Sequence, residues 1–164
     1  DYINRLECDS FMSPAPAPRR SKPSSPPPSK NPLPRIERRK SRIEGWGVFA
    51  LEPINKNRRI VTYDGEKITN KVSLDREDRY LKKGHIWCFK LNRLYVRDAA
   101  VGGNIARFIN HSCTPNCYTI VKDQTIWIVA ARNIRKGEEL TYDYSTDGPG
   151  HIRCRCSPGC EVML

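Results

Sequence analysis

From about residue 35 onward, short apolar runs broken by turn residues dominate the chain. Arg59-Ile60-Val61-Thr62-Tyr63 reads as a strand that stops at Asp64-Gly65, a pair that turns readily. Ile86 to Leu91 and Leu94 to Val96 predict two more strands, joined across Asn92-Arg93. Tyr118 to Val121 and Thr125 to Ala131 predict a hairpin across Lys122-Asp123-Gln124, and Leu140 to Tyr144 a last short strand. Helical periodicity is scarce. Residues 70–83 read as a weak, charged helix, and Asn104 to Ile109 as one or two turns after Gly102-Gly103. There is no internal repeat, and the expected fold is mostly β.

Residues 1–34 follow another rule. They hold nine of the thirteen prolines, including Pro26-Pro27-Pro28, which can build neither helix nor central strand. This stretch reads as a disordered, proline-rich tail. A chain of 164 residues then holds one domain, long enough to bury a core without disulfide staples.

Charge changes the picture of partners. Lys and Arg total 29 against 18 Asp and Glu, a net +11. The tail carries five positive and three negative charges, so +9 belongs to residues 35–164, with Arg35, Arg38, Arg39, Lys40 and Arg42 at the start. That sign suits an acidic partner such as nucleic acid, although a merely solvated face reads the same way. No apolar run approaches the ~18 residues of a membrane-spanning helix. The start lacks the charged-then-apolar pattern of a secretory signal, so none is expected.

Seven cysteines are present, and Cys154, Cys156 and Cys160 crowd into seven residues. Such neighbours pair awkwardly with one another but make natural co-ligands of one ion. Zinc takes four ligands, so a fourth must come from elsewhere, with Cys113 or Cys117 as candidates. One disulfide beside free thiols is the alternative. A four-cysteine site leaves no open position for water, which excludes zinc hydrolysis.

Three further segments exceed what a plain β domain needs. Gly45-Trp46-Gly47-Val48-Phe49 places glycines on both sides of an aromatic, so backbone can approach a ligand closely. In Arg107-Phe108-Ile109-Asn110-His111-Ser112-Cys113, four successive polar side chains are poor core material and suit a polar ligand or a metal. In Gly137-Glu138-Glu139-Leu140-Thr141-Tyr142-Asp143-Tyr144, two phenols fall on one face of a strand and could line a narrow channel.

The order of GWGVF, YDG, RDAAVGGNIARFINHSCTPNC, GEELTYDY and CRC…C resembles the SET-domain family of protein-lysine methyltransferases with a C-terminal zinc-binding post-SET segment. The resemblance spans residues 36–160, lacks the cysteine-rich pre-SET cluster of some relatives, and has the compact form of stand-alone members. It implies several small curved sheets with a C-terminal pseudoknot. The division it implies is a tail at 1–34, a SET domain at 35–146 and a post-SET segment at 147–164. Transfer of a methyl group from S-adenosylmethionine to a protein lysine is the implied activity. Gly45, Trp46, Gly47, Arg107, Asn110 and His111 would bind that cofactor, and Tyr144, Tyr63 and Tyr142 would line the catalytic channel. Tyr142 stands where the family alternates between Phe and Tyr, which implies chiefly monomethylation. Cys113, Cys154, Cys156 and Cys160 would hold one structural zinc. Between the last two cysteines relatives usually have four residues, and here there are three, so Cys117 stays open as a substitute for Cys160.

The implied substrate is a histone or another basic protein, with Asp143 and Asp147 facing it and non-specific DNA contact from the basic core. A monomer with no membrane partner is expected, in the nucleus on chromatin for a eukaryotic source or in the cytoplasm or nucleoid for a bacterial one. The rival reading is a non-catalytic SET-like module that binds chromatin or nucleic acid.

Overall fold

A computed structural model of the chain describes residues 32–146 and 152–164. The expected tail at 1–34 thus lies almost wholly outside the described residues. Among the described residues there are ten short strands, one α-helix and one 3-10 turn. The strands are β1 (Ile36–Lys40), β2 (Trp46–Ala50), β3 (Arg59–Thr62), β4 (Glu66–Thr69), β5 (Cys88–Lys90), β6 (Tyr95–Asp98), β7 (Asn110–His111), β8 (Cys117–Lys122), β9 (Thr125–Ala130) and β10 (Glu139–Tyr142). They form three sheets, ordered β1-β2-β10-β7, β3-β9-β8 and β4-β6-β5.

The β8–β9 hairpin turns on two residues, not three. Asp123 and Gln124 both sit at positive φ (49° and 58°), the twist that joins antiparallel strands tightly. Asn92 closes the β5–β6 turn by accepting from the Leu94 and Tyr95 amides. β5 is shorter than the run Ile86 to Leu91 suggested, and β6 runs on to Asp98. The β1–β2 pair was not predicted, because Arg38, Arg39 and Lys40 mask the alternation of β1.

The core gathers Val48, Ile54, Ile60, Ile109, Ile126, Ile128, Ile134 and Leu140 from all parts of the domain. β10 is the strand that ties it together. It pairs antiparallel with β2 through Glu139 and Leu140, and parallel with β7 through Thr141 and Tyr142. The GEELTYDY and RFINHSC segments are therefore hydrogen-bonded neighbours, the tucked arrangement that the resemblance implies.

α1 (Asn70–Leu81) is capped by Thr69, whose hydroxyl accepts from the Val72 amide, and it buries only Ser73. So polar a helix needs another anchor. Asp98 on β6 is fully buried and accepts from Arg76 (2.7 Å), from the Tyr80 hydroxyl (2.9 Å) and from the Ala100 amide (2.9 Å). Arg76 also meets Glu66 at 2.6 Å. Close packing recurs after β6, where a Cβ on Gly103 would lie 2.1 Å from the Ala99 carbonyl oxygen.

Asp98→Ala removes the acceptor of both helix anchors and leaves Arg76 facing a buried void. Urea unfolding is expected to show a loss of about 1–3 kcal/mol, the cost of leaving the Tyr80 hydroxyl and the Ala100 amide without their acceptor while Arg76 keeps Glu66.

Candidate functional site

The Asn110 amide is the hinge of the site. Its Nδ2 donates to the Trp46 carbonyl (3.0 Å), the Glu44 carbonyl (3.4 Å) and Glu139 Oε1 (2.8 Å). Glu139 also accepts from the Ser41 hydroxyl at 2.8 and 2.9 Å. β7, β10 and the β1–β2 turn are thereby locked around a turn that Gly45 makes at φ 37°. Gly47 has no room for a side chain, since a Cβ there would stand 2.2 Å from Glu139 Oε1. Trp46 remains 40% exposed beneath Arg38 and Lys40, so this turn meets the interior through its backbone.

These residues wall a cavity of about 440 Å³ bounded by Gly45, Trp46, Arg107, Asn110, His111 and, from the C-terminal segment, Cys154. The Arg107 guanidinium rests on Phe108 and donates to the Ala99 carbonyl, yet its buried Nε has no partner. A second cavity, about 730 Å³, is lined by Tyr63, Glu77, Phe89, Tyr142 and Asp143. His85, Ile86, Trp87, Tyr144 and Leu164 border both cavities, so Tyr144 is one of five residues that stand between them.

Tyr144 lies just past β10, and three contacts hold it. Its hydroxyl donates to the Ile109 carbonyl (2.9 Å), its amide donates to His111 Nδ1 (3.2 Å), and its ring lies 4.9 Å from that of Tyr142. The Tyr63 hydroxyl donates to the Trp87 carbonyl at 2.9 Å, and its ring packs 5.3 Å from Phe89. Burial pushes all three phenols above the ordinary tyrosine value, so they stay protonated near neutrality. Because His111 Nδ1 accepts from the Tyr144 amide, its proton belongs on Nε2, which points at Cys113 Sγ 3.5 Å away. Burial lowers the His111 pKa, only partly opposed by Asp143 at 3.6 Å, and so favours this neutral form.

Cys113, Cys154, Cys156 and Cys160 place their sulfurs within 4.8 Å of one another. Two of the separations, Cys113 to Cys154 and Cys113 to Cys160, are 3.8 Å. A tetrahedron with zinc–sulfur bonds of ~2.3 Å has edges of about that length. The three-residue spacing works because Ser157-Pro158-Gly159-Cys160 is a tight turn. Gly159 takes φ 78°, and the Cys160 amide donates to the Ser157 carbonyl at 3.2 Å. Paired backbone bonds between Ile152 and Leu164 close the rest of the segment. Cys117 is buried in β8 and stands apart from this cluster. Desolvation and the neighbouring thiols hold the Cys113 thiol up at about 12, whereas hydrogen bonding, first from the Cys113 backbone, holds Cys156 down at about 6. The donor set suits one soft dication that shares its charge over four sulfurs.

Of the expected cofactor residues, Gly45, Trp46, Arg107, Asn110 and His111 line the first cavity and Gly47 lines neither; Tyr63, Tyr142 and Asp143 line the second cavity, and Tyr144 lines both. Asp147 falls outside the described residues. Sequence reasoning passed over Trp87 and Phe89, whose alternation within the apolar run after residue 85 was the available signal. It also passed over Glu77, and over Glu139 and Ser41, which act only through the fold.

A family model described as the SET domain matches residues 45–145. Over 136 residues the chain is 44% identical to a histone-lysine N-methyltransferase, H3 lysine-4 specific, of Aspergillus oryzae, covering 76% of this chain and 11% of that protein. It is 43% identical over 138 residues to the histone-lysine N-methyltransferase set1 of Dictyostelium discoideum, covering 79% and 9%. A Candida albicans relative, also described as specific for H3 lysine-4, is 43% identical over 136 residues, covering 76% and 13%. The chain thus spans about a tenth of the length of the curated relatives it matches.

Asn110→Asp would set a carboxylate against Glu139 and two carbonyl oxygens. Thermal unfolding is expected to register a loss of about 1–3 kcal/mol, the penalty of buried polar groups left unpaired.

Proposed function

The chain belongs to the SET-domain family, and from that membership we propose that it is a protein-lysine N-methyltransferase using S-adenosylmethionine, with a histone or similar basic protein as substrate. The observation that carries this reading is the pair of cavities that share Tyr144. One suits a polar donor molecule and the other a long side chain. When bound, S-adenosylmethionine supplies a methyl group activated by its sulfonium. The cavity at the Gly45 turn is of ligand size, and its lining combines a guanidinium, an amide and an imidazole from Arg107, Asn110 and His111, which fits a molecule with a carboxylate and heterocyclic acceptors. Gly45, Trp46 and Gly47 would hold it through backbone groups, with Arg107, Asn110 and His111 around it.

Tyr144 positions and does not deprotonate. Its hydroxyl hydrogen is spent on Ile109, which leaves oxygen lone pairs to orient the reacting groups. A neutral amine must attack, and the buried aromatic wall of Tyr63, Phe89 and Tyr142 disfavours the ammonium form. Exclusion of water by the same rings strengthens each polar contact inside. Glu77 and Asp143 give the second cavity the charge that a basic peptide seeks. Glu77 is half-buried, and desolvation raises its pKa, opposed by hydrogen bonds from Cys88 and Ser73. Tyr142 fills the space beside the amine, which supports monomethyl-lysine as the chief product. Cys113, Cys154, Cys156 and Cys160 would hold one structural zinc that pins the C-terminal segment as a wall of both cavities. The enzyme then acts as a monomer on chromatin, in the nucleus where the source is eukaryotic.

A labelled-methyl transfer assay with histones, nucleosomes and histone peptides tests the proposal. Transfer is expected with the parent chain and should fall about a hundredfold in Tyr144→Phe, as for loss of one positioned hydroxyl at a reacting centre. Mass spectra should show mainly one added methyl, shifting to two or three in Tyr142→Phe. Dominant trimethylation by the parent would refute the product assignment.

Atomic spectroscopy should find about one zinc per chain, lost with Cys154→Ser together with order in the C-terminal segment. A near-zero content in active protein would refute the metal centre.

A further inference from the structure

The positive charge of the folded part is not spread evenly. Residues 35–42, 51–59 and 130–138 together carry eleven Lys and Arg against three Glu, a net +8. The other residues of 35–164 carry thirteen against twelve. Nearly the whole excess therefore sits in three short segments that are distant in sequence.

The fold joins them. The turn after Ile54 and the turn after Ile134 lie antiparallel, with reciprocal backbone bonds between the two isoleucines of 2.9 and 2.8 Å. Each turn reaches positive φ three residues on, at Asn57 (65°) and Gly137 (83°). Lys56 and Lys136 thus take equivalent places in a pair of stapled turns. The Asn57 amide bonds to Ala130, the Lys56 amide to the Asn133 side chain, and the Gly137 amide to Ala50. β1 adjoins through Leu51 to Arg35 and through Arg39 to Gly137, and it is the outer strand of its sheet.

Each carboxylate of the patch already has a cation: Glu37 has Arg39, Glu52 has Arg35 and Glu138 has Arg132. The excess of cations is what remains for a partner. Several are pre-set, since Arg39 lies over Phe49 at 4.2 Å and Arg59 over Trp127 at 5.0 Å. Aromatic seats of this kind reduce the entropy lost when a long side chain is immobilised. Among the described residues, the exposed apolar side chains tied to the patch are Leu33, next to the Pro32 carbonyl that Arg58 meets, and Trp46, already covered by Arg38 and Lys40. A protein partner or a lipid surface seeks apolar contact as well as charge. Phosphates in a row need charge alone.

We propose that the stapled Ile54 and Ile134 turns, with the outer edge of β1, form a docking surface for the phosphate backbone of duplex DNA. None of Lys56, Arg58, Arg132, Arg135 and Lys136 lines either cavity. The basic turns are then separate from the cavity that carries Glu77 and Asp143, which leaves that cavity for a basic peptide and the turns for the DNA that such a peptide is wrapped in. The choice of DNA as the source of phosphate rests on the histone-lysine reading above.

The test is fluorescence anisotropy of a labelled 24-base-pair duplex of mixed sequence against the full chain, from 50 to 200 mM salt. The parent should bind with affinity that falls steeply as salt rises. Lys56→Glu, Arg135→Glu and Lys136→Glu together should weaken binding at least tenfold and flatten the log–log salt slope by about 2 to 3, near 0.9 per lost phosphate contact. Lys71→Glu, Arg93→Glu and Lys122→Glu, the same charge change elsewhere on the domain, should leave both nearly unchanged. All six positions are exposed, and circular dichroism melts would confirm that both variants fold. Methyl transfer to a free histone peptide should be equal in parent and patch variant, while transfer to nucleosomes should fall with DNA affinity. Failure of duplex binding in the parent, equal losses in the two triple variants, or tighter binding to single-stranded RNA or to anionic vesicles would each overturn the DNA surface. Absence of methyl transfer to any peptide would instead sink the enzymatic reading, and the binding data would stand by themselves.

Discussion

Everything at the site depends on one buried side-chain amide. Asn110 offers two N–H hydrogens to three acceptors, the carbonyls of Glu44 and Trp46 and the carboxylate of Glu139. Those acceptors come from the β1–β2 turn and from β10, which are nearly a hundred residues apart. A hydrogen bond to a charged acceptor in a buried setting is among the strong ones. It lets β10 lie between β2 and β7 without leaving a carboxylate unpaired. The same bond fixes the backbone of the Gly45 turn as a cavity wall. Gly47 is required for this approach, since Glu139 occupies the space of its missing side chain.

A second chain of contacts runs from the tyrosine that lines both cavities to the cysteine cluster. The Tyr144 amide donates to His111, and His111 directs its other nitrogen at Cys113. One imidazole tautomer satisfies both, and burial keeps the ring neutral enough to hold it. In a cysteine cluster that holds a metal, an N–H···S bond of this kind would orient the sulfur that receives it. Order in the C-terminal segment and the position of the Tyr144 ring are in this way parts of one unit. Leu164, at the far end of that segment, borders both cavities.

The distribution of charge is equally structural. Asp98 is buried because three donors meet it, and by meeting them it holds an otherwise polar helix above the second cavity. The carboxylates that remain near that cavity are Glu77 and Asp143. Cations collect instead on turns whose backbones are bonded to each other, at positions that local sequence would assign to ordinary solvated loops. Neither arrangement could be inferred from the run of residues around any one charge.

Local pattern carried much of the architecture. The β8–β9 hairpin, the Asn92 turn, the helix after Thr69 and the short turn after Asn104 depend on neighbours in sequence, and such propensities act within a few residues. Strand ends and the pairs β1–β2 and β7–β10 were less legible, because edge charges hide alternation and a two-residue strand has none. The chemistry-bearing motifs were visible as residue types that a core would not choose. Their assembly was not. That Cys160 rather than Cys117 joins the other three thiols depends on where β8 and the Ser157 turn come to rest. The roles of Glu139, Trp87 and Phe89 depend on which strands lie side by side. Sequence alone determined the elements, the polar motifs and the family they resemble, since short-range sterics and hydrogen-bonding capacity reside in the residues themselves. Only the tertiary structure decided which of them meet, because contact between distant segments is set by the packing of the whole chain.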